Sequence, residues 1–248
     1  MPPRLYVDAP LAAGADLDLP PGAARHAQVL RLQPGDALVL FDGRGGEHAA
    51  AVTQMGRSAV SVRVGAHDDV ERELACIVTL ALGMPANERM DTLVEKATEL
   101  GAAAIAPLVC ERSVLRLQGE RALKKQRHWQ GVAVAAAEQS GRTRLPQVRD
   151  VLPFADWLQR LPGPGGAACW LLDPGSAAPL ATAIAALSGA TGVVMLSGPE
   201  GGLAPTERAL ALRAGFTALH LGARVLRADT APLAALACLG ALEPRGPG

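Results

Sequence analysis

Two glycine-bearing segments near the C-terminus hold the residues best suited to meet a small molecule. Residues 197–202 read Ser-Gly-Pro-Glu-Gly-Gly, and residues 221–227 read Leu-Gly-Ala-Arg-Val-Leu-Arg. Glycines this closely spaced let the backbone turn sharply and let a ligand approach the main chain. At Gly201 we expect a positive φ. The two segments therefore predict a site at which a ligand contacts the backbone.

The flanking sequence predicts the elements that position these segments. An apolar, β-branched run at 193–196 is typical of a buried strand, and a second strand is predicted at 217–221. Pro205 suits the first turn of a following helix, and Asp229 or Thr230 suits the N-cap of the next. Loops at the carboxyl ends of parallel strands bind ligands in open α/β sheets, which indicates a nucleotide-like cofactor. The alternative is a pair of tight turns without a ligand.

Known phosphate-binding motifs narrow the choice of cofactor. Neither GxGxxG nor GxxxxGK[ST] occurs in these segments, so NAD and ATP are poor candidates.

The two segments instead resemble the sequence motifs of the SPOUT methyltransferases, and within them those of the RsmE family of bacterial 16S ribosomal RNA uridine-N3 methyltransferases. The chain carries GPEGGL at 198–203 and LGARVLR at 221–227, where the family has LGxRILR. It departs at Ala228-Asp229, where the family has Thr-Glu, so any role that needs the reach of glutamate is in question.

The resemblance implies a trefoil-knotted site for S-adenosylmethionine (SAM). The implied cofactor-binding residues are Leu172, Leu196, Ser197, Gly198, Pro199, Glu200, Gly201, Gly202, Leu221, Gly222, Arg224 and Leu226. Arg142 and Arg227 would supply positive charge near the uracil carbonyls as the N3 proton leaves. Glu200 is the third catalytic candidate, although Asp229 or a phosphate-bound water could equally be the base.

Arg142 ends a segment at 138–142, Glu-Gln-Ser-Gly-Arg, that also resembles the family. A helix that ends in Ser-Gly can project the following guanidinium into a cleft. The alternative is an arginine that complements the helix dipole.

The charge distribution predicts an RNA-binding surface. The formal net charge is zero, but residues 111–149 carry nine basic side chains against three acidic ones. Such a basic stretch is a plausible contact for phosphates, although it can also be a solvated helix face. We expect Arg112, Lys124, Lys125 and Arg142 to contact RNA.

The N-terminal part predicts a separate small domain. Short strands at 37–41, 47–53 and 59–64 are separated by glycine-containing turns, which is the pattern of a small antiparallel barrel. The resemblance implies a PUA-like β-barrel that helps to hold RNA, with Arg4 and Arg31 as contacts; solvated surface arginines are the alternative. A polar linker at 65–72 gives domains at 1–70 and 73–248.

The remainder alternates strand and helix patterns, so the second domain is predicted to be α/β with a mainly parallel sheet. No apolar run reaches membrane-spanning length and no signal peptide is recognisable, which predicts a cytoplasmic protein without a membrane partner. The four cysteines are widely spaced in apolar surroundings, so we interpret them as reduced core thiols and expect no metal.

The predicted function is SAM-dependent methylation of N3 of one uridine in 16S ribosomal RNA or the small ribosomal subunit. The alternatives are another SPOUT enzyme that acts on transfer RNA or a ribose 2′-oxygen, and a non-catalytic RNA-binding assembly protein. The resemblance also implies a homodimer, and residues 231–242 predict a helix that is apolar nearly all round. A dimer would place Arg227 and Asp229 beside the partner's Arg142, whereas a central helix in a monomer is the alternative.

Overall fold

The computed structural model describes residues 2–57, 59–161, 166–187 and 192–242. The chain divides into two compact units, one formed by residues up to 73 with 134–145, and one by 74–133 with the residues from 146 onward. The first unit thus takes in a segment at 134–145 that the sequence analysis assigned to the second domain.

A mixed sheet forms the first unit. Its elements are β1 (Arg4–Tyr6), β2 (Asp16–Asp18), α1 (Pro21–Val29), β3 (Ala37–Phe41), β4 (Glu47–Met55) and β5 (Val60–Asp68). The strand order is β1-β3-β4-β5-β2, in which β1 and β3 pair parallel and the other pairs are antiparallel. Alternate residues of β5, Val60, Val62 and Val64, are buried in the core, as a period of two requires.

The predicted linker at 65–72 is wrong in its first half, because β5 continues to Asp68. His67 and Asp68 still pair with His48 and Glu47 of β4. Polar residues therefore extend the hairpin here, since backbone pairing does not need an apolar side chain.

A parallel sheet with helices forms the second unit. Its strands are β6 (Ile77–Gly83), β7 (Ala104–Val109), β8 (Gln147–Val148), β9 (Leu152–Pro153), β10 (Ala167–Leu172), β11 (Gly192–Ser197) and β12 (Thr217–Leu219). Its helices are α2 (Asn87–Glu99), α4 (Phe154–Gln159), α5 (Leu180–Ala185), α6 (Pro205–Arg213) and α7 (Thr230–Leu242), and α3 (Gly119–Ser140) begins in this unit.

The strand order of this sheet is β12-β10-β11-β6-β7-β8, and β9 also pairs with β7. The strand pairs are parallel. The predicted α/β class with a mainly parallel sheet, and the separate N-terminal β-sheet unit, are confirmed.

Helix α7 brings the chain back from the sheet edge. β12 is an edge strand, yet α7 contacts β11 and α2. Pro232, Ala235, Leu236 and Leu239 are its buried residues. The loop between β12 and α7 therefore returns the chain from the edge of the sheet to its middle.

The four cysteines differ in their burial. Cys76 and Cys110 are buried, Cys169 is half-buried, and Cys238 is exposed, so the expectation of four core thiols is wrong for Cys238. In the described part of the chain, no helix is both long and apolar enough to cross a membrane.

Candidate cofactor site

A cavity of about 700 Å³ opens at the carboxyl ends of β10 and β11. The segments that line it are 171–174, 197–203 and 225–228. The first two segments include the ends of β10 and β11 and the third precedes α7, so the sheet brings residues distant in sequence to one edge. The volume lies within the range of about 300 to 1,000 Å³ that is usual for small-molecule sites.

Most of the predicted cofactor residues line this cavity. Those present are Leu172, Ser197, Gly198, Pro199, Glu200, Gly201, Gly202 and Leu226. Leu196 is buried in one part of the core, and Leu221 packs against another part of it. Gly222 and Arg224 are exposed outside the lining. Their assignment to the cofactor stays a prediction.

Gly201 and Gly202 of the 197–203 loop are each required for a different physical reason. Gly202 has φ of +67°, a conformation that side chains rarely adopt. Gly201 has no positive φ, so that expectation is wrong; a Cβ there would lie 3.1 Å from Cβ of Arg112. The Arg112 guanidinium also donates to the carbonyl oxygen of Gly201 at 3.1 Å. Gly201 is thus constrained by a neighbouring loop, and the left-handed turn comes one residue later.

Glu200 is held from the start of α2. Its carboxylate accepts a hydrogen bond from the backbone N–H of Ala86 at 3.1 Å and lies 3.6 Å from the guanidinium of Arg89. A carboxylate near a helix N-terminus is favoured by the unpaired N–H groups there. Both contacts fix the loop through its carboxylate.

The charged side chains that line the cavity differ in whether they form ion pairs. Asp173 accepts a hydrogen bond from Arg208 at 2.7 Å. Arg227 lines the cavity and is exposed, and its guanidinium has no ion-pair partner within the described ranges. It is thus the arginine of the lining that is available to a bound anion or to developing negative charge.

The other catalytic candidate, Arg142, lies in the first unit. It is 3% exposed and its guanidinium pairs with Glu73, with Nε donating to Oε1 at 2.9 Å. Arg4 is 8% exposed, pairs with Glu47, and donates to the carbonyl oxygen of Arg142 at 2.9 Å. The predicted RNA-binding roles of both arginines therefore concern groups that are largely buried, and they stay predictions.

The remaining RNA-binding candidates are more open. Arg31 is exposed with φ of 58°, and Arg112 is exposed beside Gly201. Lys124 is exposed and Lys125 half-buried on α3, and neither forms an ion pair with any residue that the structure describes. These four side chains are free to contact a phosphate over at least part of their length.

Cys110 of the second unit is a buried thiol whose pKa is raised. Burial, together with the nearby charge of Glu207, raises the pKa of Cys110 to about 12. Glu207 is itself buried, and it accepts the N–H groups of Glu111 and Ala204 at 2.8 and 2.9 Å. Cys110 is therefore an inert thiol at neutral pH. Among the described residues no group of three or more His, Cys, Asp or Glu is arranged to hold a metal ion.

Gly83 is a site residue that the sequence analysis missed. A Cβ at this position would lie 2.5 Å from the backbone nitrogen of Pro199. The end of β6 therefore has to be glycine for the 198–203 loop to approach it. A glycine that ends an apolar run was a visible signal, but the partner that approaches it is distant in sequence. Asp173, Arg89 and Arg208 were missed for the same reason.

Comparison with known proteins assigns the chain to a family. The RNA methyltransferase domain matches residues 72–240, and the RNA methyltransferase PUA domain matches residues 19–65. The ribosomal RNA small subunit methyltransferase E of Mycobacterium bovis is 37% identical, over 88% of this chain and 83% of that protein. The chain belongs to this family.

Two solved structures are similar throughout. A ribosomal RNA small subunit methyltransferase E of Neisseria gonorrhoeae, bound to SAM, has a TM-score of 0.90 and 34% identity, covering 98% of each chain. A methyltransferase of Legionella pneumophila, also with bound SAM, has a TM-score of 0.86 and 30% identity, covering 97% of this chain and 98% of that one. SAM is therefore the cofactor of this family member.

The geometry of the cavity fits SAM. The close approach of Pro199 to Gly83 and the left-handed turn at Gly202 leave a loop whose backbone groups border the cavity. Leu172 and Leu226 provide apolar contacts, and Asp173 and Glu200 provide carboxylates near a ligand that carries positive charge. When bound, SAM supplies an electrophilic methyl group.

Proposed function

We propose that this SAM-dependent ribosomal RNA methyltransferase places the methyl group on N3 of one uridine of 16S ribosomal RNA. The observation that carries the proposal is the unpaired guanidinium of Arg227 at the edge of the cofactor cavity. Uracil N3 lies between two carbonyl groups, so loss of its proton spreads negative charge onto both oxygens. A fixed positive charge beside them lowers the energy of that state.

The chain's own groups divide this work. Backbone groups of the 197–203 loop orient the cofactor, and Gly83 and Arg112 hold that loop in place. Arg227 faces developing charge on the uracil. Glu200 contacts the N-terminus of α2, and its engagement with Ala86 and Arg89 favours a positioning role over proton transfer. The proton acceptor stays open among Glu200, Asp229 and a phosphate-bound water.

A direct experiment is to identify the modified nucleoside. Small ribosomal subunits and naked 16S ribosomal RNA are incubated with the enzyme and SAM labelled in the methyl group, and nucleosides are separated by mass spectrometry. We expect labelled N3-methyluridine. Label in another nucleoside or in a ribose would contradict the position, and SAM binding without transfer to either substrate would favour an assembly protein.

Arg227→Gln tests the role of the guanidinium. We expect kcat to fall roughly a hundredfold with little change in the Kd for SAM, because the charge acts on the transition state. Arg213→Gln is the matched control, since Arg213 is an exposed arginine of the second unit that lies outside the cavity lining. An equal loss in both variants would assign the effect to net charge.

We also infer a homodimer. The residues of α7 are almost all apolar, yet Ala237, Ala241 and Leu242 are exposed, and Leu242 is 66% exposed. An apolar second face on a helix is typical of an interface, and small alanines allow close approach. Sedimentation at micromolar concentration should give twice the 25.5 kDa of one chain. A species of one chain, or an unchanged dimer after Ala237→Glu, would overturn the use of this face.

A further inference from the structure

A second cavity, of about 410 Å³, lies beside β7. β8 pairs with β7 at Ala104 and Ile105, whereas β9 pairs with it at Leu108 and Val109. Ala106 lies in the gap between these pairings and lines the cavity. The cavity belongs to the second unit and shares no lining residue with the cofactor site. Its size suits one small ligand.

Trp157 lines this cavity and carries an unused hydrogen-bond donor on its indole. Trp157 lines the cavity and is 4% exposed, and its Nε1 is buried without a hydrogen-bond partner among the described residues. Buried indole N–H groups almost always donate to an acceptor. Ala106, Leu152 and Leu161 provide apolar surface around it. A ligand with a flat or apolar part and one oxygen acceptor would satisfy this surface.

Two arginines add a charge that suits a phosphate. Arg149 and Arg160 line the cavity, are exposed, and form no ion pair within the part of the chain that is described. Asp150 is the acidic residue of the lining, so the arginines leave a net positive charge. Guanidinium groups bind phosphate oxygens in pairs and also stack on bases.

Helix α3 carries one lining residue of the cavity and two further cations. Gln126 lines the cavity and donates to the carbonyl oxygen of Val148 at 2.7 Å. Lys124 and Lys125 precede it on the same helix and lie without ion pairs in the described structure. Unpaired cations at a cavity and on the helix that contributes to its lining are expected for a strand of nucleic acid more than for an isolated nucleotide.

We propose that this cavity binds one nucleotide of the RNA substrate, outside the catalytic site. Arg149 and Arg160 hold its phosphate, and an oxygen of its base or ribose accepts the hydrogen bond of the Trp157 indole. The inference rests on the proposed function, since it takes the RNA to be the substrate. Such a site would fix the register of the strand while a different nucleotide is methylated.

The indole signals of ¹⁵N-tryptophan-labelled protein, saturated with SAM, test the site. The Trp157 signal is assigned by its loss in Trp157→Phe. Trp129 is an internal reference, because its Nε1 already donates to Asp91 at 2.9 Å. The probes are a single-stranded oligouridylate, uridine 5′-monophosphate and inorganic phosphate. We expect the Trp157 signal to shift saturably with the oligouridylate, and with the mononucleotide only at higher concentration.

Arg149→Gln and Arg160→Gln should each weaken oligouridylate binding about tenfold, as for the loss of one charge-assisted hydrogen bond. Arg213→Gln is the matched control, since Arg213 is another exposed arginine of the second unit and should leave binding unchanged. An equal loss in the control would overturn the site, because the effect would then be one of net charge.

The other outcomes separate the sources of the ligand. If no probe shifted the Trp157 signal, the proposal would be overturned. If inorganic phosphate shifted the signal as much as the oligouridylate does, the cavity would be an anion site only. Saturation by the mononucleotide without competition from the oligouridylate would replace RNA by a free nucleotide. Ribosomal RNA methylation is measured in parallel, so its absence with a moving Trp157 signal would sink the proposed function and leave the site standing.

Discussion

Two buried arginines of the first unit and Arg227 of the second unit are used in opposite ways. In the first unit Arg4 and Arg142 are buried and pair with Glu47 and Glu73. In the second unit Arg227 at the cofactor cavity is exposed and forms no ion pair within the described chain. A buried charge needs a partner, because desolvation otherwise costs several kcal/mol. Pairing therefore separates arginines that support the fold from those that are available to a ligand.

Glu73→Ala gives the largest expected effect and tests the supporting role. It leaves the Arg142 guanidinium buried without its main carboxylate, and we expect the free energy of unfolding to fall by about 3 to 5 kcal/mol. Urea unfolding measures the loss. Asp16→Ala is the control, because the Asp16 and Arg63 pair is more than half exposed on both sides and should be worth about 1 kcal/mol or less. Equal losses would break the comparison.

Gly83→Ala tests whether the second unit's site depends on close backbone packing. The new methyl group would push against Pro199, and we expect the affinity for SAM to fall about tenfold or more. Calorimetric titration measures it. Gly131→Ala in α3 is the matched variant, since nothing lies within 4 Å of its Cβ. It should bind SAM like the wild type, and unaltered binding by both variants would remove Gly83 from the site.

Charge reversal of Lys124 and Lys125 tests the unpaired cations. We expect weaker RNA binding. The slope of log K against the logarithm of the salt concentration should fall in magnitude by about 0.7 to 0.9 for each lost phosphate contact. Lys96→Glu sharpens the comparison, because Lys96 is already paired with Glu95 and Glu99 at 2.7 Å. If Lys96→Glu changed the slope as much, pairing would not predict availability.

The smallest expected effect concerns two carboxyl groups of the first unit whose pKa values shift in opposite directions. Burial raises the pKa of Glu138 above 4.5, although the N–H of Tyr6 and the charge of His26 oppose the shift. Burial also acts to raise the pKa of Glu47, but Arg72 and Arg4 outweigh it and hold that pKa below 4.5.

The two shifts make opposite contributions to stability. Glu138 binds more protons in the folded state, so its contribution falls as pH rises from 4.5 through its raised pKa. The contribution of Glu47 is present above pH 4.5 and is lost as pH falls through its lowered pKa. Glu138→Gln and Glu47→Gln should therefore remove pH dependences of opposite slope, measured as the free energy of unfolding against pH. Slopes of the same sign would contradict this account.

The sequence by itself determined the class of the second domain and the nature of the cofactor loops. Apolar runs followed by glycine-rich turns are local patterns, and they predicted strands at 193–196 and 217–221, of which the second ends at Leu219 in the structure. The resemblance of the two loop motifs identified the SAM-binding family. The basic stretch at 111–149 was equally visible. A local pattern does not state which of its charges are paired, so Arg142, Lys124 and Lys125 looked alike.

Only the tertiary structure decided which arginine is buried, which glycine is crowded and where a cavity opens. Arg142 pairs with Glu73, 69 positions away, and Gly83 meets Pro199 from a strand distant in sequence. The Trp157 cavity arises because β8 and β9 pair with different parts of β7. Burial, close approach and ion pairing depend on contacts between distant segments. The free energy of those contacts is set by the folded arrangement, which the order of residue types does not display.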